Sequence, residues 1–138
     1  MFCPRTEIGQ ESKISAVSQY KWHRPSIFQQ HLSKEEVDLV LVRIMKEIQR
    51  IHLEILDELK EDEMDVLLLK QGFSFDIMYD EKSNKCSLIE LNGFGVRSGC
   101  GGCLFHWIRD MDAMYGIREV EFRISEEQIA RYRFSLIA

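Results

Sequence analysis

A chain of 138 residues, 45% apolar and 30% charged, has the material for one hydrophobic core, and residues 1–138 are expected to form a single domain. A net charge of -5 with no basic block argues against a nucleic-acid partner. The absence of an apolar run of about 18 residues argues against a membrane-spanning helix, and the polar start MFCPRTEIGQESK against a signal peptide. The four cysteines (Cys3, Cys86, Cys100, Cys103) are too few and too irregular for a disulfide framework, which points to a reducing, cytoplasmic location.

Residues 1–13 are polar and read as a loop between short extended pieces. KISAVSQYKW (13–22) alternates as a strand would, with Ile14, Ala16, Ser18, Tyr20 and Trp22 on one face, and Pro25 ends it. Ser33 and Glu36 form a Ser-x-x-Glu capping box that opens a helix expected over 33–60. Val37, Val40, Leu41, Ile44, Ile48, Ile51, Ile55 and Leu59 recur at helical spacing, while Lys34, Glu35, Asp38, Lys46, Glu47, Glu54 and Asp57 lie mostly on the other side. His52 has no second ligand at helical spacing and reads as a residue of the helix, not of a metal site. KEDEMD (60–65) reads as a solvated acidic end.

GFSFDIMY (72–79) and CSLIEL (86–91), joined by DEKSNK, predict a β-hairpin. Residues 93–103 form a glycine loop, and LFHWIRDMDAMYG (104–116) reads as a helix closed by Gly116. EVEFRIS (119–125) and RYRFSLI (131–137) read as two more strands. The expected fold class is α+β: a mainly antiparallel sheet with the long helix on one face.

The hairpin raises a chemical question. Asp76 lies opposite in phase to Phe73, Phe75, Ile77 and Tyr79, and a period of two would put Leu88, Glu90 and Asn92 on one face of the next strand. An odd number of unpaired turn residues sets Asp76 directly across from Glu90; an even number sets them one place out of line. Facing acids are destabilising unless something neutralises them. A solvated sheet surface is one reading; a Mg²⁺ site built from Asp, Glu and Asn oxygens is the other. The glycines at 93, 95, 99, 101 and 102 let backbone approach a ligand closely, and a helix beginning near Leu104 would offer free N–H groups to an anion.

The loop has other readings. Ser98 stands where a dinucleotide fingerprint needs its third glycine, which excludes that motif. Cys100-Gly-Gly-Cys103 is also compatible with a redox dithiol, or with half a zinc site completed by Cys3, Cys86 or His106. Small thiols in a tight loop are the plainest account.

Asp76 on one strand, Glu90-Leu-Asn92 on the next and a glycine loop behind them resemble the end of the catalytic sheet in ATP-grasp proteins. The wider order ISAVSQYKW, long helix, FSFDIMYDEKSNKCSLIELNGFG, LFHWIRD is similar to the branch that contains the cell-division-cycle proteins assisting assembly of a translation initiation factor. The resemblance spans most of the chain and corresponds to the C-terminal half of that fold, without the lysine-bearing ATP lid. It implies Asp76, Glu90 and Asn92 as Mg²⁺ ligands, with Glu90 bridging two cations. Gly93 and Gly95 would lie at the nucleotide, Gln19 would be a supporting contact, and Arg97 would be the basic group for substrate. The implied cofactors are Mg²⁺ and ATP, and the implied activity is a carboxylate–amine or carboxylate–thiol ligase, weak or silent without its missing half. The alternative is a non-catalytic assembly scaffold that binds a protein partner. An exposed edge at Met1 to Cys3 would favour a homo-oligomer or pairing with a complementary half-domain.

Overall fold

The computed structural model describes residues 2–4, 12–20, 28, 32–59, 62–95, 103–125 and 129–135. Its centre is a six-stranded sheet of order β4-β3-β1-β2-β5-β6, formed by β1 (Phe2–Pro4), β2 (Ala16–Ser18), β3 (Gly72–Asp80), β4 (Lys85–Gly93), β5 (Val120–Ser125) and β6 (Ile129–Phe134). Among the described strands only β2 and β5 pair in parallel; the other neighbours are antiparallel. The expected α+β class and mainly antiparallel sheet are observed. β1 lies between β2 and β3, so the open edge expected near Met1 to Cys3 is not found at Phe2–Pro4; among the described residues the edges are β4 and β6.

The long helix, α1 (Lys34–Glu58), starts where the capping box placed it. Glu36 N donates to Ser33 Oγ at 3.2 Å and Ser33 N donates to Glu36 Oε2 at 2.7 Å, satisfying two N–H groups that a helix start leaves over. Its inner stripe of Val37, Leu41, Ile44, Ile48, Ile51 and Ile55 is buried against Phe73, Phe75, Val120, Phe122 and Ile124 of the sheet. Residues 62–64 of the KEDEMD run are exposed, as a solvated acidic end would be, and they also open a helix. Asp62 accepts from Met64 N (2.7 Å) and Asp65 N (3.0 Å) and caps a second helix, α2 (Glu63–Gln71). Gly72, at φ 89° and ψ 165°, then turns that helix directly into β3, a conformation essentially closed to other residues.

The regular strand β2 is shorter than the alternation of 13–22 suggested. Ile14 and Val17 pack on the helix side, whereas Ala16 joins a second core on the opposite face with Phe94, Phe105, Ala113 and Met114. Residues 21 and 22 lie outside the described residues. The segment covering this second core is not the helix expected over 104–116. Residues 107–110 are turns, and the helix there, α3, is only Met111–Met114.

Arg123 holds that covering segment. It projects from β5 and is almost wholly buried. Its Nε donates to Glu121 Oε1 (2.6 Å), Nη1 to the Leu104 carbonyl (2.9 Å) and Nη2 to Asp110 Oδ1 (2.8 Å), and the guanidinium lies 4.0 Å from the Phe105 ring centre. Asp110 in turn accepts from His106 N at 2.7 Å. Among the described residues no helix is long and apolar enough to cross a membrane.

Arg123→Met leaves the buried Glu121 and the half-buried Asp110 without their cation, and should cost about 3 kcal/mol in urea unfolding. His52 lies on the buried side of α1, 3.2 Å from Ser12 Oγ, with its ring parallel to Phe75 at 6.4 Å between centroids. Burial lowers its pKa from 6.5 to about 4. The folded state thus resists protonation while the unfolded state accepts it, so stability is full above pH 6.5 and falls as the pH drops towards 4. The loss should approach about 3 kcal/mol at about 1.4 kcal/mol per pKa unit. His52→Phe should flatten that slope in unfolding measured across the same range.

Candidate functional site on the hairpin face

The site begins at the turn. Asp80 accepts from Lys82 N (3.1 Å), Ser83 N (3.3 Å) and Ser83 Oγ (2.6 Å), and Asn84 takes a left-handed φ of 54°, which closes the turn over residues 81–84. Tyr79 Oη and Arg43 Nη1 both donate to Asn84 Oδ1, at 2.7 and 3.2 Å. Asp80 pairs with Lys85, so the turn has an even number of residues. By the period-two rule this sets Asp76 opposite Ile89 and points Glu90 towards α1.

The observed register is different. It runs unbroken from Asp80↔Lys85 to Ile77↔Leu88, shifts, and resumes at Asp76↔Glu90, Phe75↔Leu91 and Ser74↔Asn92. Ile89 is the extra residue of a β-bulge. It brings the two carboxylates directly across from one another despite the even turn. The expectation that Leu88 shares a face with Glu90 and Asn92 is therefore overturned. Leu88 pairs with Ile77 on the helix side and lines a groove of ≈ 230 Å³ with Arg50, Ile51, Glu54, Ile55, Glu58, Cys86 and Ser87. Ser74 takes a place on the acidic face instead. The sequence does carry a signal for the bulge, since the apolar positions 86, 88 and 91 change parity after Leu88.

Asp76 is half-buried, Glu90 exposed and Asn92 half-buried; Asn92 Nδ2 donates to Glu90 Oε1 at 3.2 Å. Burial raises the pKa of the Asp76 carboxyl above its ordinary value; the charge of the N-terminal amino group opposes that rise, and the charge and hydrogen bond of Glu90 add to it. Among the described residues no group of three or more His, Cys, Asp and Glu side chains is placed to hold a metal ion. The hairpin offers two carboxylates and an amide. That set fits Mg²⁺, which uses one or two protein carboxylates and completes its shell with water and phosphate oxygens.

The other predicted site residues fall as follows. Gln19 faces its own sheet neighbours: its Oε1 accepts from Ser125 N at 2.9 Å, and its N donates to the Arg123 carbonyl at 2.9 Å, extending the β2–β5 pairing. β1 separates β2 from β3, so this side chain is not brought to the acidic pair. Gly93 ends β4. Gly95 has a φ of 153°, and Gln71 Nε2 donates to the Phe94 carbonyl between the two glycines at 2.9 Å. Arg97 and Cys100 lie outside the described residues.

The anion-binding helix start expected near Leu104 is absent because its amides are already bonded. Leu104 N donates to Ser18 Oγ (2.8 Å), His106 N to Asp110 Oδ2 (2.7 Å), and Ile108 N and Arg109 N to His106 Nδ1 (3.2 and 3.4 Å). Side chains compete here with helical bonding and win. The zinc reading does not come together either. Cys86 is a free thiol on the helix side, its pKa pushed up by burial to about 11, whereas Cys103 belongs to the core on the other face. Cys103 is disulfide-bonded, with its partner's side chain outside the described residues, and so is no thiolate ligand.

No family model, no curated protein and no solved structure matches the chain.

Because the folded state holds Asp76 protonated more readily than the unfolded state does, stability is lost as the pH rises through the carboxylate range. Without divalent cations, Asp76→Asn should therefore raise the thermal midpoint at neutral pH, and its advantage should shrink on acidification. A destabilised Asp76→Asn at neutral pH would mean that the pair is already compensated.

Proposed function

We propose that the hairpin face binds a divalent cation and, through it, the phosphates of ATP, making the chain a Mg²⁺–ATP unit of the ATP-grasp kind. The observation that carries this reading is Asp76 directly opposite Glu90, with Asn92 bonded to Glu90, on a sheet face where Met78 is also exposed. Mg²⁺ would neutralise phosphate charge as it shifts to the leaving group, which in a carboxylate–amine or carboxylate–thiol ligase accompanies acyl-phosphate formation. In this chain Asp76 and Glu90 would supply the ligand charge, with Glu90 able to reach two cations through its two oxygens. Asn92 Nδ2 would orient Glu90.

The amides of Leu104, His106, Ile108 and Arg109 are spent on side chains, so nucleotide affinity would rest mainly on the cation. Weak ATP binding by these residues is the consequence, and turnover would also need an ATP lid. The same spent amides favour a second reading, in which the sheet is a scaffold that docks on a protein partner and the acidic pair serves as a contact. In either case the compartment we propose is the cytoplasm, a reading that the Cys103 disulfide counts against.

Calorimetric titration of Mg²⁺, then of ATP in the presence of Mg²⁺, into the purified chain separates these readings, with Glu90→Ala as the control. We expect Mg²⁺ heat that Glu90→Ala abolishes, and a weak ATP signal that requires Mg²⁺. ATP binding that persists in Glu90→Ala or without Mg²⁺ would refute the site; silence in every titration would leave the scaffold.

A further inference from the structure

The sheet ends at β4 on one side and β6 on the other, and their exposed charges are opposite in sign. On β4 the backbone of Cys86 is closed off by α1: Cys86 N donates to Glu47 Oε2 at 3.0 Å, and Arg50 Nη2 donates to Cys86 O at 3.0 Å. Among the described residues no side chain caps the backbone of β4 from Ser87 to Gly93. An unpaired run of strand backbone is a template for another strand.

The two edges also match face by face. On β6, Ala130, Tyr132 and Phe134 pair with Ile124, Phe122 and Val120, which places them on the helix side, level with Leu88 and Leu91 of β4. Arg131 and Arg133 pair with Arg123 and Glu121, which places them on the face that carries Asp76, Glu90 and Asn92. Arg131 is well exposed, with its Nε 3.9 Å from Glu121 Oε1. Lys85, the basic residue of β4, stands at the turn and reaches towards Glu47 at 3.9 Å, away from the free run.

Edge-to-edge contact between copies can take three forms. Pairing β6 with β6 about a two-fold axis sets the arginines against their own mates. Pairing β4 with β4 sets Glu90 against Glu90, with Asp76 behind each. Like charges across strands destabilise. The third form joins β6 to β4. These strands run in the same direction, because the steps between them contain four reversals and one parallel pair. The union is therefore parallel and keeps every helix on the same side. It sets Arg131 and Arg133 beside Glu90 and Asp76, and Tyr132 and Phe134 beside Leu88 and Leu91.

We infer that the chain self-associates head to tail, with β6 of one copy adding in parallel to the free run of β4 on the next. The arginines of one copy then neutralise the Asp76–Glu90 pair of its neighbour, so the acidic cluster is completed by a second copy. Such a contact is heterologous, and the assembly grows past a dimer unless it closes into a ring. This inference does not depend on cation or nucleotide binding, although it uses the same carboxylates.

Sedimentation velocity over a concentration series in chelator-containing buffer tests it free of any cation. The wild-type chain should show a weight-average mass that rises with concentration past that of a dimer and falls at high salt. Arg131→Glu/Arg133→Glu, acidic at both edges, should sediment as a monomer, and so should Glu90→Arg, basic at both. An equal mixture of the two variants should associate again, which also shows that each is folded. A wild-type chain that stays monomeric at every concentration, association that stops at a symmetric dimer, variants that associate as the wild type does, or a mixture that fails to associate would each overturn the inference.

Discussion

The acidic face depends on one inserted residue. With an even turn and an unbroken ladder, Glu90 would stand opposite Phe75 and point into the packing between α1 and the sheet, where Ile51 and Ile55 lie. Burying a carboxylate without a partner costs several kcal/mol, whereas a bulge costs one ladder position. Ile89 resolves the conflict: the bulge turns Glu90 outward and delivers Leu91 to the helix side opposite Phe75. The hydrophobic demand of the core under α1 therefore fixes where the charges of the other face stand. The register is a consequence of core packing before it is a feature of any site.

The two faces of the sheet are held by different physics. On the α1 side a continuous apolar interface does the work, and its cause is local in sequence: a capping box followed by a regular stripe. On the other side the cover is short, contains little regular structure, and depends on Arg123. That side chain reaches residues as far as 19 positions away in the chain and bonds them through all its nitrogens. A buried guanidinium is stable only with its charge and donors matched, and Glu121, Asp110, the Leu104 carbonyl and the Phe105 ring supply the match. Because Asp110 also takes the His106 amide, the ion pair and the conformation of the covering segment are one arrangement.

This difference explains what could be read from sequence. α1 and the hairpin were legible because their determinants lie within a few residues of the elements they define. The second helix was legible in principle: Asp62 caps it, Glu63 and Asp65 suit the positive end of its dipole, Lys70 suits the other end, and Gly72 stops it. Charge density hid it, since an acidic run reads as solvated until the capping role of its first aspartate is recognised. The segment 104–110 was not legible, because its helical pattern is overruled by a distant arginine. Nor was the central place of β1, a three-residue strand whose neighbours are set only by the assembled sheet. Within the candidate site, the pairing of Asp76 with Glu90 could be framed as a choice of register but not decided, because the turn length and the bulge act in opposite senses.

The packing explains why Glu90 points outward, yet it does not require that Glu90 be charged. A neutral polar residue at an exposed β4 position would satisfy the same pattern without facing Asp76 across the strands. Serine and asparagine already do so one step along, at the Ser74↔Asn92 pair. Asp76 is half-buried, and burial itself works against its ionisation. The fold therefore tolerates a cross-strand repulsion that its own packing does not need. The charge of the N-terminal amino group already works against that repulsion at Asp76; a hydrated divalent cation or a guanidinium from a neighbouring edge would add to it. Both meet the same requirement by different routes: a cation concentrates charge between the two carboxylates, whereas arginines on a paired strand spread it along the face and add apolar contact on the other side of the sheet.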